Sequence, residues 1–167
     1  MNNTAEREIC ESAWKKARLA AWVMLAAPAL YVAVGLVLLK TRNLPHAVDL
    51  EERFRDILFY VLAGVAIVDF PVVTALRRAT LSQRYVTRHF KSLGQVAQHY
   101  GHANILVGAV CQSPAVTGLV YFLLTGELKR MVILAGASVL FSLMLLPSRT
   151  KLRELLHAIQ QQGRTRN

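Results

Sequence analysis

The run from Ala103 to Thr125, ANILVGAVCQSPAVTGLVYFLLT, constrains the fold more than any other stretch of the chain. At about 1.5 Å per residue, an apolar helix of this length crosses the roughly 30 Å hydrocarbon core of a bilayer. Its middle is the polar segment CQSP, residues 111–114. In lipid an unpaired polar group is costly, so these side chains must face protein. The run therefore predicts a membrane helix with at least one partner helix.

The rest of the chain repeats this pattern, because apolar residues are gathered into four blocks with nearly all charged residues between them. Four crossings use most of a 167-residue chain. We therefore predict an all-α, polytopic membrane protein of the bacterial inner membrane, with residues 1–167 forming a single membrane domain. The predicted spans are approximately 17–39, 57–76, 103–125 and 129–146.

The distribution of basic residues predicts the orientation. If both termini lie on the same side as the connection between spans two and three, that side holds 14 of the 20 Lys+Arg residues. The positive-inside rule then places both termini in the cytoplasm. The formal charge of +10 belongs to these flanks, so we expect contact with anionic lipids and no binding to nucleic acid.

Three polar segments are predicted to be amphipathic helices on the cytoplasmic side. They are residues 2–18, the long connection 77–101 and a C-terminal helix over 149–162. The long connection contains no acidic residue, and its apolar side chains recur at helical spacing. We expect it to lie on the membrane surface as one helix. The basic side chains that would face lipid phosphate are Arg84, Arg88 and Lys91.

Two polar side chains inside the spans are candidates for an ion or proton site. Asp69 lies roughly 10 Å from the inner end of span two, and Gln112 lies roughly 13 Å from the inner end of span three. Because these spans run in opposite directions, we expect a hydrogen bond between the two side chains. Asp69 can be a proton or cation site, or a structural contact near Pro71, and both interpretations stay open. Pro28 also frees a backbone carbonyl in span one, which a neighbouring helix or a local kink must satisfy.

Small residues in spans three and four indicate close helix packing, as is typical of membrane helices. In span three they form a small-xxx-small row around Gln112, and a second small face lies in span four. The residues expected to pack are Gly108, Ala109, Ser113, Thr117, Gly118, Gly136 and Ser138.

No pattern in the sequence predicts catalysis. A glycine-rich phosphate loop and the motifs HExxH, GxSxG and CxxC are all absent. None of the five histidines lies well inside a span, which argues against an intramembrane haem. Cys10 and Cys111 are expected to be free thiols. We therefore expect a protein that is not an enzyme and has no metal or other cofactor.

The run VGAVCQSPAVTGLVYFLLTG, Val107 to Gly126, resembles the carboxylate-bearing second helix of the proteolipid (c) subunits of rotary ATPases. In that family an acidic residue is followed by a small or apolar pair and then GLV. The run is also similar to the third helix of small uncharacterised bacterial four-span membrane proteins. The proteolipid resemblance implies ion carriage, but the position of the ion-binding carboxylate is occupied by Gln112, whose amide cannot release a proton.

The sequence leaves three functions open. The chain can be a non-catalytic accessory or scaffold subunit that holds other integral membrane subunits of an inner-membrane complex. It can instead be a small ion-conducting or proton-coupled homo-oligomer built around Asp69, with Gln112 as its polar partner. The third function is a lipid- or quinone-binding module at the inner surface that uses Tyr85, Phe90 and the arginines of the long connection.

Overall fold

The computed structural model describes residues 3–41, 51–90 and 92–165. Within these ranges the regular structure is entirely helical. The helices are α1 (Asn3–Thr41), α2 (Glu52–Thr80), α3 (Gln83–His89), α4 (Leu93–Cys111), α5 (Ser113–Thr125), α6 (Leu128–Met144) and α7 (Arg149–Thr165).

Three helical stretches are long and apolar enough to cross a membrane. They are Glu8–Thr41, Glu52–Thr80 and Leu93–Thr125, the last of which comprises α4 and α5. The number rises to four if α6 and α7, which are bent by 44° at the break between them, count as one span. The all-helical class and the presence of several helices of membrane-spanning length, both predicted from the sequence, are confirmed.

The long helices pack into one bundle. Helix α4 contacts α1 and α2, while α6 contacts α1 and α5. Helices α5 and α6 form an antiparallel hairpin whose turn begins at Gly126, where the backbone is left-handed with φ of 73°. A glycine adopts this conformation without the steric cost that a β-carbon adds. The N–H of Gly126 donates to the carbonyl of Phe122 at 2.7 Å, which closes the last turn of α5.

The outside of the bundle carries large apolar side chains that no other part of the described chain covers. They lie along α1 from Leu19 to Leu39, along α2 from Phe54 to Val72, along α4 and α5 from Ile105 to Leu124, and along α6 from Val132. We call these four stretches the apolar belt. So much exposed apolar surface is unfavourable in water and is typical of helices that face lipid or other membrane helices.

A second core lies beyond the belt, at the end of the bundle where α1 begins and α2 ends. Here the first turns of α1 and α4 meet α3 and α7. We call this cluster the end core. Its buried residues are Ala13, Ala17, Leu81, Val86, Val96, Ala97, Tyr100, Ala103, Leu152, Leu155, Leu156 and Ile159.

The end core corrects the predicted surface helices. The predicted helix over 2–18 is continuous with span one in the 39-residue α1. The single helix predicted over 77–101 is wrong, because α2 extends to Thr80 and two further helices start at new N-caps. The hydroxyl of Ser82 accepts from the N–H of Tyr85, and a second serine caps α4 in the same way.

Helix α7, predicted to end at residue 162 and present to Thr165, shows why these segments pack together. Its apolar residues recur at i, i+3, i+4 and i+7, which places them on one face. That face is buried in the end core, whereas Arg153, Glu154 and His157 on the other face are exposed. The apolar face of α7 is therefore covered by protein rather than by the membrane surface.

Leu155→Ala tests this packing. Leu155 is fully buried, so its truncation should lower the free energy of unfolding by about 2–5 kcal/mol. Arg153→Ala on the exposed face of α7 is the matched control and should change it by about 0.5 kcal/mol or less. Unfolding of the purified protein in detergent, followed by circular dichroism, measures both. Equal effects of the two substitutions would contradict the packing of α7 in the end core.

Candidate functional site

The predicted third span is divided at Gln112, which lies between α4 and α5. Pro114 stands in the first turn of α5, where a proline is tolerated but cannot continue the hydrogen-bond ladder of α4. The hydroxyl of Ser138 on α6 donates to the carbonyl of Cys111 at 2.7 Å. Ser138 therefore supplies the break in the third span with a hydrogen-bond donor from the neighbouring helix.

Gln112 does the same for a second break, in α1. Pro28 has no N–H, so the carbonyl of Met24, four residues earlier, loses its partner within the helix. The side-chain amide of Gln112 donates to this carbonyl at 2.7 Å. The partner required for the carbonyl freed by Pro28 is thus a side chain of the third span, and Gln112 is 6% exposed at this position.

Two longer contacts extend this arrangement across α6. The amide nitrogen of Gln112 lies 3.4 Å from the hydroxyl of Ser142, and its amide oxygen lies 3.4 Å from the hydroxyl of Ser138. A hydroxyl has one hydrogen, so the shorter bond of Ser138 to the Cys111 carbonyl takes precedence. Asn104, Gln112, Ser138 and Ser142 together form what we call the interior polar cluster.

Asn104 is the member of this cluster whose hydrogen bonds are incomplete. Its amide nitrogen donates to the carbonyl of Tyr100 at 2.7 Å. Its amide oxygen is buried and has no hydrogen-bond partner within the part of the chain that the structure describes. Asn104 borders a cavity of about 20 Å³ that is also lined by Met24, Cys111 and Ser142. This volume is comparable with the space that one water molecule requires.

The expected hydrogen bond between Asp69 and Gln112 is not formed, so that prediction was wrong. Gln112 is directed to α1 and α6, whereas Asp69 belongs to α2, where the neighbouring Phe70 packs against Phe141 with ring centroids 4.8 Å apart. One carboxylate oxygen of Asp69 is buried and has no hydrogen-bond partner among the described residues. The two candidate side chains therefore lie in different environments.

The small residues that were expected to pack divide into two groups. Members of the first group, such as Gly108 and Gly118, lie close to a neighbouring helix, and members of the second group do not. A β-carbon on Gly118 would lie 3.0 Å from Leu134 and 3.1 Å from the backbone oxygen of Met131, and Gly108 lies similarly close to the side chain of Met24. Thr117 donates to the carbonyl of Ser113 within its own helix at 3.0 Å.

The second group consists of Gly136 and Ala109. Nothing lies within 4 Å of a β-carbon placed on Gly136, and both residues are exposed. Neither residue packs two helices of this chain together, which corrects the expectation for them.

The sequence analysis did not predict a charged cluster at the end of the bundle that lies opposite the end core. Arg130 at the start of α6 forms ion pairs with Asp56 and, at 2.9 Å, with Glu127. It also donates to the hydroxyl of Tyr121 at 2.9 Å, and its guanidinium lies 5.2 Å from the ring centroid of Phe59. This cluster joins the start of α2 to the α5–α6 hairpin. The available signal was that opposite charges flank the outer ends of spans two and four.

The remaining candidates lie at the surface. Arg84 and Arg88 are exposed on α3, and Lys91 lies outside the described residues. In the described ranges no three His, Cys, Asp or Glu side chains form a group that could hold a metal ion. Cys10 and Cys111 are both free.

Comparisons of the chain with protein-family models, curated proteins and solved structures found no match.

A double-mutant cycle tests the bond between Gln112 and Met24. Gln112→Leu leaves the Met24 carbonyl unpaired, so it should lower the free energy of unfolding by about 1–2 kcal/mol. In the Pro28→Ala background the N–H of the new alanine can bond this carbonyl within α1, so the same substitution should cost less. Unfolding in detergent gives all four free energies.

Gln98→Leu, at an exposed position of α4, is the control for the glutamine-to-leucine exchange. It should have the same small effect with and without Pro28. If the cost of Gln112→Leu is unchanged by Pro28→Ala, the amide does not compensate for the proline.

Gly118→Ala and Gly136→Ala form a matched pair. The alanine at 118 would press against Leu134 and the Met131 backbone, so we expect it to destabilise the hairpin by about 1–3 kcal/mol. The alanine at 136 meets no atom and should be neutral or stabilising by up to about 1 kcal/mol through helix propensity. Thermal unfolding in detergent compares them, and a neutral Gly118→Ala would contradict the close approach of α5 and α6.

Proposed function

We propose that this protein is a non-catalytic accessory or scaffold subunit of a larger inner-membrane complex. In this proposal the chain spans the membrane four times, with α1, α2, the α4–α5 pair and α6 as the crossings. Both termini and the end core lie in the cytoplasm, where the positive-inside rule places the larger share of basic residues. Helix α7 lies outside the bilayer, which is supported by its exposed charged face and buried apolar face.

The observation that carries the proposal is how the interior polar cluster is used. Its members are amides and hydroxyls, and Gln112 and Ser138 bond backbone carbonyls at the helix breaks. Neither group releases or binds a proton near neutral pH. The polar groups at the centre of the bundle thus hold helices together, which favours a structural role over a relay.

The surface supports the same function. Ala109 and Gly136 are small, exposed and unused for packing within this chain, so other membrane helices can approach closely there. The apolar belt offers further area for subunits of the complex and for lipid. We therefore propose that partner helices contact the small exposed positions of α4 and α6.

Asp69 favours a second candidate function, a proton-coupled or ion-conducting oligomer. A buried carboxylate oxygen without a partner is costly in a membrane, and such groups often mark proton or cation sites. The resemblance of Val107 to Gly126 to the proteolipid helix points the same way. However, Gln112 replaces the carboxylate of that family and is bonded to Met24, so Asp69 would have to act without it.

Copurification from the native membrane tests the proposed function. Native mass spectrometry of the tagged protein should show other membrane subunits at fixed stoichiometry. Gly136→Leu should lose or weaken this association, because the larger side chain occupies the exposed small face. Gly64→Leu is the matched control, since a β-carbon on Gly64 also has nothing within 4 Å, but Gly64 lies on α2. The Gly64→Leu variant should associate with the same subunits as the wild type.

Asp69→Asn separates the two candidates, because it keeps the size of the side chain but cannot carry a proton. If the protein is a scaffold, the Asp69→Asn variant should bind the partner subunits as well as the wild type does. Proteoliposomes with the purified wild type should show no more pH-driven proton flux than empty liposomes. Flux that the wild type supports and Asp69→Asn abolishes would overturn the scaffold and establish the alternative.

A further inference from the structure

A basic groove of about 860 Å³ lies between the end of α2, the start of α3 and the junction of α6 with α7. The cations that line it are Arg77, Arg78 and Lys151, and Glu154 is the acid that lines it. Lys151 pairs with Glu154 at 3.1 Å on the surface of α7, a contact that is partly exposed and therefore weak. With three cations and one acid, the groove has a formal charge of +2.

The two arginines of the groove are held differently. Arg77 is half-buried, and its guanidinium donates to the carbonyl of Leu146 at 2.8 Å, which fixes it at the junction of α6 and α7. Arg78 is exposed and forms no ion pair with any residue that the structure describes. A guanidinium fixed by one bond still has other N–H groups for an incoming anion. The exposed hydroxyls of Ser148 and Thr150 also border the groove.

The groove lies at the edge of the apolar belt. Met144 and Leu146 at the end of α6 are exposed and flank Leu145, which lines the groove. Leu81 and Leu145 are buried at its base, so apolar atoms adjoin the cations. A ligand that fits this arrangement has an anionic head beside the cations and apolar chains along the belt. A free phosphate or a nucleotide has the first feature without the second.

We propose that this groove binds the phosphate headgroup of an anionic phospholipid, with Arg77, Arg78 and Lys151 as the binding cations. Guanidinium groups suit phosphate because they offer paired N–H donors, and Arg78 is free to supply them. The acyl chains lie against the exposed apolar end of α6. This site is distinct from the exposed Arg84 and Arg88 of α3. It rests on the membrane orientation in the proposed function, but not on the scaffold role.

Native mass spectrometry in mild detergent tests the site with added phosphatidylglycerol and, for comparison, phosphatidylcholine. The wild type should retain phosphatidylglycerol in preference. Arg78→Gln together with Lys151→Gln should bind it about 30-fold more weakly, since each cation near an anionic headgroup contributes a factor of about five. Lys15→Gln together with Arg18→Gln, at exposed positions of α1, removes the same charge outside the groove and should bind like the wild type.

Each outcome decides the proposal. Equal binding by the groove variant and the wild type overturns it. Equal loss in the two double variants also overturns it, because binding would then follow net charge alone. Competition by inorganic phosphate as effective as by phosphatidylglycerol overturns the assignment to lipid. Circular dichroism of each variant checks the fold, and Arg78→Gln alone, at an exposed position, should already weaken binding if a double variant unfolds.

This test is independent of the scaffold role. If no partner subunits copurify, the binding of phosphatidylglycerol to the purified chain can still be measured. A failed lipid experiment with intact subunit association removes the groove assignment and leaves the proposed function in place.

Discussion

The bond between the Gln112 amide and the Met24 carbonyl is the interaction on which the rest of the bundle depends. Pro28 breaks the hydrogen-bond ladder of α1 inside the apolar belt, where water cannot take the place of the lost N–H. The compensating donor must therefore come from another helix at a fixed depth and rotation. This requirement sets the position of the third span against α1, and Ser138 sets α6 against the break in the third span.

The bundle is closed differently at its two ends. At one end Arg130 connects α2 to the α5–α6 hairpin through charged and aromatic contacts. At the other end the closure is apolar and made by the end core. With 39 residues α1 is about 58 Å long, almost twice the thickness of the hydrocarbon core, so it belongs both to the apolar belt and to the end core. One continuous helix therefore fixes the position of the end core relative to the apolar belt.

The sequence was sufficient for features that depend on local composition. The length of each apolar block predicted the helices of membrane-spanning length. The position of Pro28 also indicated that the carbonyl it leaves unpaired needs a hydrogen-bond donor from elsewhere in the bundle or a local kink. The sequence did not identify Gln112 as that donor, because the pairing depends on how α4 is rotated relative to α1.

The errors have identifiable causes. The amphipathic pattern of 77–101 predicted one helix, but the N-cap serines at 82 and 92 divide it into separate helices. Once divided, its apolar side chains meet those of α7, which an analysis of single segments does not foresee. The expected contact of Asp69 with Gln112 failed for a similar reason, since a common depth in the membrane does not imply facing side chains.

The participation of α7 in the end core affects biosynthesis. Helix α1 is translated long before α7, so Ala13 and Ala17 acquire neighbours from α7 only after translation has passed Arg149. A product truncated before Arg149 would keep all four proposed crossings while exposing apolar side chains of α1, α3 and α4 that the end core otherwise buries. Exposed apolar residues are what chaperones and proteases recognise, so the synthesis of α7 removes a recognition signal from α1, α3 and α4.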